Sequence, residues 1–495
     1  MKYTLLLLTA LALVVHHATS FYGHFGADDM TYARMANDLL AGEADWSHPF
    51  TFRIITVALL AVCYQLFGVG DWASALPALT ASLAIAGCLA LALRGKPWWV
   101  LALALAGYFG MRWNTFYSDK IMADVLVSAL SFAATVAYLR HRRTNTAAVP
   151  TALLAMTCLF VAFNAKGSVV LLVPVFLWFL LQDLLRGKRL RFWVAFSVIG
   201  ACWLGAYLIV CQWLFGSPLA RFNVIEAHRY LNDCSYDSMP VGHLVERLTT
   251  GYWAMLVDSR MLFHVAVAVV TLVIQGLRGR LFSSGSFYPA TALVVFLSMN
   301  FMTISFNSYN PVCTDPRHVL PYTPLIALCS AMSLFHLSGL LKLRGKQWLL
   351  NVAAVVIGVA LLLPAYRFAL YSQTLQFDKV RGRFETVLPS LPPPAVVYGT
   401  RVTHMLAPYL INFRQEEMGL RFERLDAMVP CPAGASDTTR YLVKTWYTEW
   451  HSERSNEWID ERIKEAGYRA VASELSVEGL EVYRLECVVD GAGSR

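Results

Sequence analysis

Charged side chains are scarce. Asp, Glu, Lys and Arg make up 15% of the 495 residues, against about a quarter in a typical soluble domain. With 57% hydrophobic residues, that excludes an ordinary water-soluble globule. The net charge of +8 is not gathered into one basic patch, which excludes a nucleic-acid binder. There is no Cys-x-x-Cys pair or Cys/His cluster of the kind that holds zinc, no Gly-rich phosphate cradle and no Ser/His/Asp order. No internal repeat is visible, whereas many transporters are built from repeated halves.

What the chain has instead is apolar sequence in runs of bilayer length. These fall near 3–20, 73–93, 97–113, 120–139, 147–165, 167–185, 192–214, 260–277, 287–306, 319–341 and 347–365, each about the 17–25 residues a spanning helix needs. One further run, 54–67, is shorter. Basic residues cluster between runs: Arg94/Lys96, Arg140/Arg142/Arg143, Arg186/Lys188/Arg189/Arg191, Arg278/Arg280 and Lys342/Arg344/Lys346. The positive-inside rule places all of these clusters in the cytoplasm. With Lys2 also inside, the count closes only if 54–67 does not cross, so this run is expected to lie on the outer interface. The expectation is a polytopic α-helical protein of the cell (inner) membrane with about eleven spans. Residues 1–20 resemble a signal peptide, but the apolar run and the charged loop behind it read as an uncleaved first span. The same count puts 21–72, 114–120, 166, 215–259, 307–318 and everything after 366 outside.

Residues 1–365 thus form a membrane domain with a first outer loop at 21–72. A Pro-rich linker at 366–394 contains LPSLPPP, and 395–495 reads as a small extracytoplasmic α/β domain. In that domain AVVYGT, TTRYLVKTW, YRAVASEL and GLEVYRLECV read as strands, and THMLAPYLINF and SNEWIDERIKEAG as helices. An accessory or binding role is expected for it. Cys234, Cys313, Cys431 and Cys487 lie in loops or in this tail, where an oxidising compartment permits disulfides without fixing their pairing.

Candidate site residues cluster on the predicted outer side. Asp28 and Asp29 open the amphipathic pattern DDMTYARMANDLL; they are either a helix N-cap or a general base with its partner. Lys166 interrupts FVAFNAKGSVVLLVP; it either snorkels from a tight loop or meets an anion. Asp124 lies one turn inside a span, where a carboxylate is functional by default or else caps the helix. Asp315, Arg317 and His318 sit in the proline-set loop NSYNPVCTDPRHVLPYTP, and Arg suits two-point contact with phosphate. Arg53 is a second candidate phosphate ligand, and His48 an interfacial histidine near it.

The stretch ADDMTYARMANDLLAGEADWSHPFTFRI resembles the first outer loop of lipid-phosphosugar-dependent GT-C glycosyltransferases. That group includes protein O-mannosyltransferases and lipid A aminoarabinose transferases. The matching positions are Asp28, Asp29, Tyr32, His48, Pro49 and the LFG at 66–68. FYSDKIMADVL is similar to the second acidic loop and points to Asp124. NAKGS is similar to the lysine–glycine step and points to Lys166, and DPRHVLPYTP to a late arginine–proline segment with Arg317.

The resemblance implies transfer of a sugar from a polyprenyl-phosphate donor to a glycan, lipid or protein acceptor, with inversion. Lys166, Arg317 and Arg53 would hold the donor phosphate, with His48 and Tyr32 beside them. Asp28 would act as the base, with Asp29 and Asp124 orienting the acceptor; which of the adjacent pair is the base stays open. No cofactor is required, and a divalent metal is compatible with the carboxylates. A flippase for a lipid-linked saccharide and a non-catalytic envelope assembly protein are the rival classes.

Overall fold

The computed structural model describes residues 1–21, 23–24, 27–228, 234, 236–280, 283–303, 308–341, 345–371, 377–432, 438–445 and 456–488. Lys342 and Arg344 of the last basic cluster and Trp446 of the TTRYLVKTW strand lie outside them. The chain divides into two compact units, residues 1–21, 45–59 and 75–371 forming the first and 22–44, 60–74 and 372–495 the second.

The first unit is helical because its backbone must bond to itself in lipid. Among the described residues, eight helices are long and apolar enough to cross a bilayer: Lys2–Ser20, Asp71–Ala92, Ala123–Thr144, Ala148–Ala165, Gly167–Leu184, Leu190–Phe215, Pro316–Leu340 and Gln347–Ala369. Thr250–Asp258 and Leu262–Leu277 together make a ninth, bent by 106°. The runs expected at 97–113 and 287–306 form shorter helices, Trp98–Gly110 and Phe287–Phe301, because Met111 and Met302 take extended backbone and end them. Ile54–Phe67 has 14 residues and rises about 21 Å, short of a bilayer's roughly 30 Å. Helix Leu190–Phe215 buries little and shows Val194, Val198, Ile209 and Trp213 as a lipid-suited face. Gly110 lets helix Trp98–Gly110 approach Gln347–Tyr371 closely: a Cβ there would stand 2.8 Å from the Leu361 Cβ. Such small-residue contacts let membrane helices pack without a hydrophobic driving force.

Lys2 and three of the basic clusters meet at one end of this unit. Lys2 Nζ donates to the Leu93 carbonyl at 3.0 Å, and Arg143 to the carbonyls of Ala92 and Arg94 at 2.9 and 3.1 Å. Arg189 donates to the Arg142 carbonyl at 2.8 Å and to buried Asp183 at 3.0 Å. Asp183 also accepts from Tyr138 at 2.8 Å and Trp193 at 3.1 Å. This knot ties the connector after Ala123–Thr144 to the one before Leu190–Phe215. Asp124 lies at the other end of Ala123–Thr144, about 30 Å away at 1.5 Å per residue. Cys234 and Cys313 are paired in this unit, with Cα atoms 5.4 Å apart.

The second unit joins the C-terminal domain with segments of the first loop. Its five-stranded sheet has the order β2-β1-β3-β5-β4, built from β1 (Ala395–Gly399), β2 (Leu420–Arg424), β3 (Thr439–Thr445), β4 (Tyr468–Ala472) and β5 (Leu480–Cys487). β1 pairs in parallel with β2 and β3, while β5 runs antiparallel to β3 and β4. Helix Arg401–Leu410 supplies the crossover that the parallel β1–β2 pair needs. Val396, Tyr398, Leu442, Ile459, Ile463 and Leu485 form the core. A second disulfide joins Cys431 to Cys487 at the end of β5, with Cα atoms 5.7 Å apart.

Within 366–394, helix Gln347–Tyr371 continues and Phe377–Val387 forms another helix. Phe384, Val387 and Leu388 are buried, at helical spacing. Helix Asp28–Ala41 buries Met30, Tyr32, Ala33, Met35 and Ala36 and packs on Arg401–Leu410, so this part of the loop groups with the tail. It ends at Gly42, whose φ of +80° allows the Glu43 N–H to reach the Asp38 carbonyl at 2.8 Å.

Candidate active site

In the first unit, Asp124 occupies the first turn of Ala123–Thr144, where the helix dipole favours a carboxylate. Lys166 is the single extended residue between Ala148–Ala165 and the short helix Gly167–Leu172, with φ −164° and ψ 141°. The extended step turns its side chain to Asp124, and Nζ donates to both carboxylate oxygens at 2.8 and 2.7 Å. The pair is buried.

Arg317 opens the short helix Pro316–Tyr322, which Asp315 caps by accepting from the Arg317 N–H at 3.0 Å. Arg317 Nε also reaches Asp315 at 2.8 Å. The segment is fixed where Ser128, one turn below Asp124, donates to the Leu320 carbonyl at 2.9 Å. Arg317 and His318 both act electrostatically on Asp124. Burial, with Arg53 and Arg317 close by, holds the Lys166 ammonium below its usual range despite Asp124. Arg53 lies 3.8 Å from the Phe50 ring centroid, and His48 Nδ1 accepts from the Phe50 N–H at 3.2 Å. Thr56 ties this segment to the Lys166 turn through the Ala165 carbonyl at 3.2 Å.

Arg221 was not singled out from sequence. It is 2% exposed, donates to the Phe163 carbonyl at 2.9 Å, and its Nη1 has no hydrogen-bond partner among the described residues. Its Nη2 would stand 3.5 Å from a Cβ on Gly167. One arginine in a short polar helix carries no local signal of such burial. Lys166, Arg53, Arg317 and Arg221 thus bring four cations against the carboxylates of Asp124 and Asp315. A partly buried excess of positive charge favours an anionic ligand.

Asp119 forms a separate buried cluster in this unit. Its oxygens lie 2.7 Å from Lys120 Nζ, 3.2 Å from His17 and 4.0 Å from His16.

The adjacent carboxylates belong to the second unit, and the structure tells them apart. Asp29 is fully buried and accepts from the backbone N–H groups of Ala27 at 2.9 Å and Met30 at 3.0 Å. Its other oxygen lies 3.9 Å from His24 Nδ1. His24 Nε2 is 3.1 Å from the Tyr409 hydroxyl and 3.5 Å from Asp71. Tyr409 donates to Asp71 at 3.0 Å and lies 2.9 Å from Ser74 Oγ, while Arg381 pairs with Asp71. Asp28 is half-buried at the helix start, and Tyr32 is 1% exposed in the core. Sequence reasoning missed His24, Asp71 and Tyr409, whose network joins positions 385 residues apart. Among the described residues, no group of three or more His, Cys, Asp or Glu side chains is arranged to hold a metal ion.

The architecture is that of a multi-pass membrane protein with an ArnT-like fold: apolar helices of bilayer-spanning length and a small C-terminal α/β domain. Specifically, the chain is similar to the structure of ArnT from Cupriavidus metallidurans bound to undecaprenyl phosphate, at TM-score 0.56 and 14% identity, covering 100% of this chain and 99% of that one. It is similar to the apo structure of the same protein at TM-score 0.52 and 15% identity, with 97% of each chain covered. At that identity the likeness is one of fold. No protein-family model matches the sequence, and no curated protein matches it.

Proposed function

We propose that the protein is a membrane glycosyltransferase that moves a sugar from a polyprenyl-phosphate carrier to an envelope glycan, lipid or protein acceptor. The observation that carries this reading is the cationic cluster of Lys166, Arg53, Arg317 and Arg221 on a fold shared with a protein solved with undecaprenyl phosphate. The cluster would hold the donor phosphate and stabilise the charge that develops as the anomeric C–O bond breaks. Asp28, the more open member of the acid pair, would take the proton of the acceptor hydroxyl as its oxygen attacks the anomeric carbon. A single displacement of this kind inverts that centre and releases polyprenyl phosphate. Asp29, locked by two backbone N–H groups, would fix the helix start that presents Asp28. Asp124 would hold Lys166 and oppose an over-tight grip on phosphate.

The same reading places the multi-pass protein in the inner membrane, with the acid pair and C-terminal domain outside the cytoplasm. Two disulfides support an oxidising compartment for Cys234, Cys313, Cys431 and Cys487. Clustering of Lys2 with three of the basic connectors at the opposite end of the first unit from Asp124 and Lys166 supports the same sidedness.

The test is transfer from a polyprenyl-phosphate-linked sugar by membranes carrying Asp28→Asn. Loss of transfer at normal protein level is expected; undiminished transfer would remove Asp28 as the base.

A further inference from the structure

Helix Asp28–Ala41 has a second stripe besides its core face. Met30, Arg34, Asn37 and Asp38 recur at i, i+4, i+7 and i+8, so they share one side of the helix. That stripe walls a cavity of about 380 Å³ lying wholly within the second unit. Its other walls come from helix Arg401–Leu410, the turn after it and β2, including His404, Phe413, Gln415 and Arg421.

Three features define what this cavity suits. Its charges are balanced, with Arg34 and Arg421 set against Asp38 and Glu416, so an anion would meet as many carboxylates as guanidinium groups. Two polar atoms among its lining residues, His404 Nδ1 and Gln415 Oε1, are buried and have no hydrogen-bond partner among the described residues. Buried polar atoms are normally satisfied, and an amide oxygen calls for a donor. Phe413 adds an aromatic ring to the lining, a surface suited to the C–H face of a saccharide. Burial and the neighbouring Arg34 hold the His404 imidazole below its usual range, so at neutral pH it offers one donor and one acceptor. At ~30 Å³ per water the space holds about a dozen waters, enough for a sugar ring.

We propose that this cavity binds a neutral, hydroxyl-rich sugar residue of a glycan-bearing acceptor, away from the hydroxyl that receives the new sugar. The proposal rests on the transferase reading above and narrows it to acceptors that carry a glycan. Arg34 follows Asp28 by six residues, about 9 Å along the helix axis, so one helix presents both the acid pair and the sugar pocket. Occupancy of the pocket would fix the helix that carries the base.

The test is ligand-observed NMR on the purified full-length protein. The probes are N-acetylglucosamine and the methyl glycosides of glucose, galactose and mannose, with inorganic phosphate as the contrast. At least one sugar is expected to bind, with its saturation-transfer signal falling at least fivefold in both Gln415→Ala and Arg421→Ala. Both changes fall on partly exposed side chains, and an unchanged melting temperature verifies folding. The proposal is overturned if no sugar binds, if binding survives both substitutions, or if phosphate binds in the sugars' place. Binding here needs no turnover. Its failure leaves the Asp28 test intact, and failure of that test leaves sugar binding to stand alone.

Discussion

Lys166 donates to both oxygens of Asp124, at 2.8 and 2.7 Å, from the one extended residue that separates two apolar helices. An isolated lysine in that place would be costly. The pair offsets most of that cost, yet Arg53, Arg317 and Arg221 leave the surroundings cationic. On the proposed function, Asp124 would be a counter-charge that an arriving phosphate could share or displace.

Removing one member of this pair leaves a buried charge uncompensated, which costs about 3–5 kcal/mol. Lys166→Ala and Asp124→Ala are therefore each expected to lower thermal stability strongly in detergent. The two milder changes should separate on donor binding: Lys166→Met weakens polyprenyl phosphate binding, whereas Asp124→Asn strengthens it. Titration with the lipid phosphate reads this directly, and equal weakening by both would show that the pair is structural alone.

Asp28 and Asp29 should part company by the quantity each affects. Asp29→Ala removes an acceptor from two backbone N–H groups at a helix start, a change worth about 0.5–2 kcal/mol. Its expected signature is a lower melting temperature with proportionate loss of activity. Asp28→Ala should leave melting within error and stop transfer. Reversal of the two patterns would assign the base to Asp29.

Much of this was legible in the sequence because it follows from local rules. Basic connectors, apolar run lengths and the alternation in YRAVA and LEVYRLEC each act over a few residues. β2 also carried a signal, since Leu420 and Phe422 flank Arg421 and precede Glu423 and Arg424, but a five-residue stretch with three charged side chains between two turns passes for a loop. Burial of Arg221, the bend after Asp258 and the His24–Tyr409–Asp71 contacts arise only from tertiary packing. No spacing in the chain encodes a contact across 385 residues.

Asp119 should make stability depend on acid pH. Burial opposes its ionisation, but Lys120, His17 and His16 outweigh burial and bring its carboxyl down to about 2. Because the folded value lies below the unfolded one, this contribution is fully present above about pH 4 and is lost as pH falls towards 2. Its size is about 2 kcal/mol. Unfolding followed from pH 6 to pH 2 should show that acid-linked step in the parent protein and not in Asp119→Asn. A step of equal size in both would remove Asp119 as its source.

Sidedness can be read from cysteine chemistry. Cys234–Cys313 and Cys431–Cys487 are bonded, whereas Cys63, Cys88, Cys158, Cys202, Cys211 and Cys329 are free. In intact cells an impermeant maleimide should reach the four bonded cysteines only after external reduction. Arg94→Cys, at the end where the basic connectors meet, should react only once the membrane is opened. Labelling of Arg94→Cys in sealed cells would invert the topology and put Lys166 on the cytoplasmic face. Replacing Cys431 and Cys487 by Ser also releases a loop of 56 residues, which removes about 4 kcal/mol of constraint on the unfolded chain. The C-terminal domain should then become protease-sensitive while the membrane helices stay resistant.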